Sequence, residues 1–117
     1  MKLLTFTVPC YNSQNYMCRC VDSLLVGGED VEIIIVDDGS VDDTGKIADE
    51  YARKYPSIVR VIHQENGGHG AGLNAGLNHA TGLYFKVVDS DDWIDEESYH
   101  RFWIRYIICV LQAACWI

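Results

Sequence analysis

The sequence predicts an α/β fold of three layers, α/β/α, in which helices cover both faces of a mostly parallel sheet. Segments of strand length alternate along the 117 residues with segments whose apolar residues have helical spacing. Residues 31–36 are apolar at every position except Glu32, which is typical of a strand buried on both faces. Strands that alternate with helices require crossover connections, and these give parallel sheets. The length fits one compact domain.

The first half of the chain begins with a strand, a helix and a second strand. Residues 3–8 are rich in strand formers, and we expect this strand to end before Pro9, because proline cannot donate a hydrogen bond to a central ladder. Apolar residues with helical spacing then predict a helix over residues 16–25, closed by a pair of glycines. The buried strand over residues 31–36 follows.

The rest of the chain continues the same alternation. A helix is predicted over residues 47–55, and residues 40–43 offer capping oxygens and negative charge ahead of its start. A glycine-rich turn leads into a further short helix. The remaining predicted elements are a strand at 59–62, a helix at 71–80, a strand at 83–88 and a helix starting near Asp95.

The composition argues against one class of partner. The formal net charge is −8, from nine basic and 17 acidic residues, whereas a nucleic-acid-binding protein needs clustered Lys and Arg. No nucleic-acid partner is therefore expected. An acidic protein that binds a phosphorylated ligand needs backbone N–H donors or a cation to offset the repulsion.

The cysteines and the first residues bear on localisation. The five cysteines are odd in number and lack paired spacing, which predicts free thiols rather than disulfides or a zinc site. The apolar residues near the start are too few and too interrupted for an export signal. We therefore expect a cytoplasmic protein, with the inner face of the membrane as an alternative location.

Polar or glycine-rich residues follow each of the four predicted strands. Ligands of parallel α/β sheets bind at the carboxyl ends of the strands, so these clusters are expected to converge on one rim. The clusters are residues 9–12, 37–40, 65–70 and 89–92.

Three carboxylates lie within four residues after the last predicted strand. Asp89 and Asp91 can face the same side there, and their mutual repulsion is commonly relieved by a hard divalent cation such as Mg²⁺ or Mn²⁺. Carboxylates are the ligands that such cations prefer. The alternative interpretation is a solvated acidic turn that caps the helix starting near Asp95.

Two further carboxylates, Asp37 and Asp38, follow the buried second strand. Either could accept hydrogen bonds from a nucleobase or a ribose at the rim of the sheet. The alternative role is capping of the next helix, but Ser40 and Asp43 can cap it without them. That observation slightly favours a binding role for the pair.

The glycine-rich turn at residues 66–72 could bring backbone N–H groups close to a diphosphate. It has neither the spacing of a dinucleotide-binding fingerprint nor the terminal Lys and Ser/Thr of a P-loop. His69 is expected to be a surface residue of this loop.

Together and in this order, four segments resemble the family 2 glycosyltransferases, whose GT-A fold is a Rossmann-like three-layer sheet. The resemblance spans residues 3–99, and it is the combination that makes it specific. The segments are residues 8–12, 36–40, 66–70 with 73–77, and 88–92.

The resemblance implies roles at the nucleoside end of a nucleoside-diphosphate sugar, with UDP-sugar as the expected donor. Tyr11 would lie beside the base, and Pro9 and Asn12 would shape its loop. Asp38 would accept a hydrogen bond from a base N–H, with support from Asp37.

The resemblance also implies roles at the diphosphate. Asp89 and Asp91 would form the DxD pair of the family, in which Asp91 binds Mg²⁺ or Mn²⁺ and Asp89 reaches the ribose or the metal. His69, Gly70 and Asn74 would border the diphosphate and the donor sugar. The expected reaction is an inverting transfer to a glycan, lipid or protein acceptor.

The two ends of the chain are expected to differ in role. Residues 1–103 would be the nucleotide-sugar-binding domain, whereas residues 104–117 are apolar nearly all round, depart from the family and could mediate self-association. The acceptor part and its carboxylate base are expected to be absent, so no catalytic residue is predicted. The alternatives are a donor-binding fragment without transferase activity, a remnant that binds nothing and, ranked last, a nucleotidyltransferase.

Overall fold

A computed structural model describes residues 2–95, 97 and 99–101. The predicted tail at 104–117 and the boundary after residue 103 lie outside these residues. The strands are β1 (Leu4–Cys10), β2 (Val31–Asp38), β3 (Val59–Gln64) and β4 (Tyr84–Val87). The helices are α1 (Met17–Leu24), α2 (Thr44–Lys54) and α3 (His69–His79), and a 3₁₀ segment (Leu25–Asp30) follows α1.

The four strands form one sheet in the order β3-β2-β1-β4, and every pairing among them is parallel. The predicted alternation of strands and helices is confirmed. The predicted mostly parallel sheet is also confirmed, because a crossover connection through a helix lets the next strand run in the same direction.

The two faces of the sheet are covered by different helices. Leu4, Phe6 and Val8 of β1 belong to the main buried core, which they share with residues of α1 and α2. The opposite face carries α3, whose Gly72 and Gly76 lie against β1. The three-layer α/β/α arrangement is thus confirmed.

Pro9 lies inside β1, although the sequence predicted that the strand would end before it. It pairs with Val36 of β2. The backbone oxygen of Thr7 accepts a hydrogen bond from the N–H of Val88 at 2.9 Å, so the backbone N–H and C=O of Thr7 point toward β4. The backbone of Pro9, two residues further, points toward the same edge, but the pairing with β4 ends at Thr7. The missing N–H of proline therefore costs no ladder hydrogen bond.

β2 is longer than predicted and includes Asp37 and Asp38, which are both buried. Successive residues of a strand point to opposite faces of the sheet. Asp38 therefore lies on the face covered by α3, whereas Asp37 lies on the face covered by α2. The cross-strand neighbours on β3 are His63 for Asp37 and Gln64 for Asp38.

Two local expectations need correction. His69 is the first residue of α3 rather than part of the loop, and Gly68 precedes the helix as its N-cap. The N-cap residue of α2 is Asp43, but its side chain makes no capping hydrogen bond. Asp42 instead accepts from the N–H of Thr44 at 2.9 Å, a local contact between an Asp side chain and the backbone two residues on.

Among the residues that the structure describes, no helix combines the length and the apolar character needed to cross a membrane.

Candidate functional site

Two adjoining cavities open at the carboxyl ends of β1, β2 and β4. The inner cavity has a volume of about 200 Å³, and the outer cleft has a volume of about 500 Å³. Pro9, Tyr11 and His69 line both, so the two form one continuous depression. Asp38, Gly68 and Gly72 also line the inner cavity, which therefore lies on the α3 face of the sheet.

Asp38 organises the glycine-rich turn that borders the inner cavity. One carboxylate oxygen accepts from the Gln64 side chain at 2.9 Å and from the N–H of Gly67 at 2.9 Å. The other accepts from the N–H of Gly68 at 3.0 Å. The Gln64 amide and then the two N–H groups lower the pKa of the Asp38 carboxyl. The carboxylate is therefore ionised at neutral pH and holds the turn against the sheet.

Two glycines let this turn and the β2 end approach each other. Gly39 has φ +74°, and a Cβ there would lie 2.7 Å from the backbone N of Asn66. Gly68 has φ +88° immediately before α3. Residues with side chains rarely adopt such angles, so glycine is favoured at both positions.

Residues 11–12, which follow β1 and form the Tyr11 loop, are fastened to the β2 end by a reciprocal pair of hydrogen bonds. The N–H of Asn12 donates to Ser40 Oγ at 3.0 Å, and Asn12 Oδ1 accepts from the N–H of Val41 at 3.0 Å. Asn12 has φ +48°, a left-handed conformation that asparagine tolerates better than most residues. Tyr11 itself is 52% exposed at the mouth of both cavities.

Ser13 connects the Tyr11 loop to the end of β4. Its buried hydroxyl lies 2.8 Å from Ser90 Oγ and 3.2 Å from both the N and the O of Tyr11. Its N–H donates to Thr44 Oγ1 at the start of α2, at 2.8 Å. The rim loops of β1, β2 and β4 are thereby joined by short polar contacts.

The acidic cluster lies in the outer cleft. Asp89, Asp91 and Asp92 are exposed, and one carboxylate oxygen of each lies within 4.8 Å of the others. Asp89 and Asp91 line the cleft beside Tyr11. Three hard anionic ligands at this spacing fit a cation such as Mg²⁺ or Mn²⁺, with positions left for water or phosphate.

Helix α1 supports the loop that carries these carboxylates. Cys20 Sγ lies 3.5 Å from the backbone oxygen of Asp89, and Ser23 Oγ accepts from the N–H of Ile94 at 3.1 Å. The guanidinium of Arg19 lies 3.4 Å from the ring centroid of Trp93, a cation–π contact. The acidic loop is therefore tied to the core on both sides of the cluster.

The thiols near the site are not suited to nucleophilic chemistry. Cys10, Cys18 and Cys20 are free, and the other two cysteines lie outside the described residues. Burial, followed by nearby acidic groups, raises the pKa of Cys20 to about 12, and burial likewise raises that of Cys10 to about 12. Both stay protonated, and a protonated thiol is a poor nucleophile.

The structure brings together six of the residues that the sequence singled out. Pro9, Tyr11, Asp38, His69, Asp89 and Asp91 all line the continuous depression. The other four do not line it. Asn12 fastens the Tyr11 loop, Asp37 faces α2, and Gly70 and Asn74 are exposed positions on the first two turns of α3.

Four residues of the site were missed. Gln64 carries no sequence signal, because its contact with Asp38 depends on the register of β3 against β2. Tyr16 lines the outer cleft and is 55% exposed, but the sequence placed it in an apolar helical stripe. Ser90 lies within the predicted rim segment 89–92 and Ser13 lies one residue beyond the segment 9–12, but no role was predicted for either hydroxyl.

Comparison with known proteins identifies the family. The model of glycosyl transferase family 2 matches residues 5–105. The chain belongs to this family. This family 2 chain is 42% identical over 95 residues to glycosyltransferase GlyA of Streptococcus pneumoniae, covering 80% of the chain and 14% of GlyA. It is 41% identical over 100 residues to the uncharacterized glycosyltransferase EpsJ of Bacillus subtilis, covering 85% and 29%.

Solved structures give the same result and confirm the GT-A fold. The family 2 chain is similar to Staphylococcus aureus TarS 1–349 in complex with UDP, with TM-score 0.74, 33% identity and coverage of 86% and 30% of the two chains. The TarS complex with UDP-GlcNAc gives TM-score 0.72.

A second solved relative is the mannosyltransferase PcManGT of Pyrobaculum calidifontis, in complex with GDP-Man and Mn²⁺. Its TM-score is 0.70 at 26% identity, with coverage of 77% of this chain and 28% of that one. The family 2 chain thus spans less than a third of the length of each of these relatives.

Proposed function

We propose that this chain binds the nucleoside-diphosphate part of a sugar donor, with UDP-sugar as the preferred donor and Mg²⁺ or Mn²⁺ as the cation. One observation carries the proposal. A single depression has Asp38 at its inner end and Asp89 and Asp91 at its outer end, with Tyr11 lining both. The depression thus offers a site for a base at one end and a site for a metal-bound diphosphate at the other.

The inner end suits a pyrimidine base. Tyr11 presents an exposed aromatic ring that can pack on the base. An ionised carboxylate has about four acceptor positions, and the three hydrogen bonds to Asp38 occupy three of them. The remaining position, on the oxygen that Gly68 already contacts, can accept the N–H of uracil.

The outer end suits a diphosphate with a divalent cation. Asp89 and Asp91 would hold the cation, with Asp92 as a further carboxylate nearby. When bound, the cation neutralises the negative charge that develops on the leaving nucleoside diphosphate. The first residues of α3 also have backbone N–H groups without helical partners, and these favour phosphate at the mouth of both cavities.

The relatives named glycosyltransferases support transfer of the sugar as the function of the whole protein. We assign donor binding to residues 1–103. For the whole protein we propose an inverting transfer of the sugar to a hydroxyl group of a glycan, lipid or protein acceptor. The general base for that step would come from residues outside the described site. The support for this division is the share of the relatives that the chain spans, 14% of GlyA and 29% of EpsJ.

Calorimetric titration tests the proposal. UDP and then GDP are titrated into the purified chain with Mn²⁺ and again with EDTA, and uridine serves as a ligand that lacks phosphate. We expect UDP to bind more tightly with Mn²⁺ than with EDTA, and uridine to bind equally in both. Folded chain that binds neither nucleotide under either condition would overturn the proposal.

A further inference from the structure

The imidazole of His63 bridges two carboxylates on the face of the sheet away from the cavities. Its Nδ1 lies 3.0 Å from Asp37 Oδ2, and its Nε2 lies 2.8 Å from Asp49 Oδ1. Asp37 belongs to β2 and Asp49 to α2. His63 is 48% exposed, so it can exchange its proton with solvent, whereas the Asp37 side chain is only 10% exposed.

This geometry favours a charged imidazole. An ionised carboxylate can only accept hydrogen bonds, and a neutral imidazole has only one N–H. Two carboxylate contacts on the two ring nitrogens therefore match the imidazolium form, in which both nitrogens donate. Asp49 first, then Asp37, raises the pKa of His63 through these contacts. These are the titratable groups that face the ring from β2 and α2.

The bridge continues to the Tyr11 loop through three hydrogen-bonded residues. The second oxygen of Asp37 accepts from the N–H of Ser40 at 3.1 Å. Ser40 Oγ in turn accepts from the N–H of Asn12 at 3.0 Å, directly beside Tyr11. Gly45 leaves room for this arrangement, because a Cβ there would lie 2.8 Å from Asp37 Oδ2.

We propose that His63 is a positioning residue whose protonated form holds the Tyr11 loop in its nucleotide-binding position, so that nucleotide affinity decreases as pH rises. The proposal rests on the proposed function and adds a residue that does not touch the cavity. When His63 loses its proton, one of its two carboxylate contacts is lost. Whichever contact remains, the ring no longer attracts Asp37 as a cation, so Asp37 is less restrained and the Ser40 and Asn12 contacts loosen with it.

The direction in which nucleotide affinity changes with pH follows from the direction of the pKa shift of His63. The folded-state pKa of His63 lies above the ordinary value of 6.5. The stabilisation is therefore fully present below pH 6.5 and is lost as pH rises through the higher folded-state value. Nucleotide affinity should follow the same course.

The test is UDP affinity with Mg²⁺, measured by calorimetry from about pH 6 to about pH 8.5, the range in which histidine titrates. The wild-type chain is compared with His63→Gln, which keeps a neutral donor near Asp37. Affinity of the wild-type chain should fall roughly three- to tenfold more than that of His63→Gln across this range, as expected of a residue acting through a hydrogen-bond network. The pH dependence of UDP itself is common to both proteins and cancels in the comparison.

Two further variants sharpen the test. Asp49→Asn removes the exposed carboxylate alone, so the decrease in affinity should move to lower pH. His79→Gln removes a histidine at the exposed end of α3, where it contacts the oxygen of Ala75, and should keep the wild-type decrease. NMR titration of the His63 ring should give a pKa above 6.5 in the wild-type chain and a lower value in Asp49→Asn.

The outcomes separate this inference from the proposed function. Equal decreases in the wild-type chain and in His63→Gln would overturn the positioning role and leave nucleotide binding intact. A His63 pKa at or below its ordinary value would also overturn it. Absence of UDP binding by the wild-type chain at every pH would overturn the proposed function, and this inference with it.

Discussion

The hydroxyl of Ser13 lies 2.8 Å from the hydroxyl of Ser90, 77 residues further along the chain. Ser13 follows the Tyr11 loop at the base end of the proposed site, and Ser90 lies between Asp89 and Asp91 at the metal end. This contact joins the two ends directly and helps to set their spacing. A ligand that occupies both ends depends on that spacing, even though neither hydroxyl needs to touch it.

The Ser13–Ser90 contact should therefore contribute to nucleotide affinity as a pair. Ser13→Ala and Ser90→Ala should each lower the affinity for UDP with Mn²⁺ roughly three- to tenfold, the size of one hydrogen bond. The double variant should be little worse than either single one, which a double-mutant cycle measures by calorimetry. Ser57→Ala, which removes an exposed contact with Glu29, serves as the control. Additive effects would mean that the two hydroxyls act separately.

Asp38→Ala should weaken the binding of uridine about tenfold or more, because the carboxylate holds the Gly67 and Gly68 N–H groups as well as the proposed base contact. Binding of Mn²⁺ without nucleotide should persist, since the acidic cluster lies at the other end of the depression. Calorimetry with each ligand alone measures both. Equal loss of both, together with a loss of helical circular dichroism, would show that the substitution had unfolded the domain instead.

Asp91→Asn should lower the affinity for Mn²⁺ roughly tenfold or more, because it removes a hard anionic ligand. The fold should be nearly unchanged, since Asp91 is exposed. Asp43→Asn removes another exposed carboxylate, away from the cluster and beside Lys46, and should leave Mn²⁺ affinity unaltered. Electron paramagnetic resonance of free Mn²⁺ measures the affinities. The same affinity in Asp91→Asn and in the wild-type chain would refute the metal assignment.

Two glycines of α3 should respond oppositely to alanine. A Cβ at Gly76 would lie 2.3 Å from Thr7 Oγ1, so Gly76→Ala should lower the free energy of unfolding by about 1–3 kcal/mol through overpacking. Nothing lies within 4 Å of a Cβ at Gly70, so Gly70→Ala should raise it by about 0.5 kcal/mol. Urea denaturation measures both. Similar changes in the two variants would contradict the close packing of α3 on β1.

The fold could be predicted because its signals are local. The apolar run of β2 and the helical spacing in α1 and α2 each specify one element, and crossover rules then give the parallel sheet. Pro9 was misjudged for the opposite reason. Whether its missing N–H matters depends on where β4 ends, and the residues of β1 carry no information about that position.

The site was predictable only where a residue type is unusual for its position. Clustered carboxylates and a tyrosine directly after a strand are unusual residue types for these positions, and the structure places Tyr11, Asp89 and Asp91 in one depression. Gln64 and His63 do not stand out, because their roles follow from register with Asp38 and Asp37 across two strands. The different directions of Asp37 and Asp38 also needed the structure, since it was the extension of β2 that put them on opposite faces.

We propose that one depression binds both parts of the donor. The base would lie at Tyr11 and Asp38, and the metal-bound diphosphate would lie at Asp89 and Asp91. The most direct measurement is a crystal structure of the chain grown with UDP and Mn²⁺, with anomalous diffraction recorded at the manganese edge. We expect an anomalous peak coordinated by Asp89 or Asp91 and uracil density packed on Tyr11. A manganese peak away from these carboxylates, or UDP bound on another surface, would contradict it.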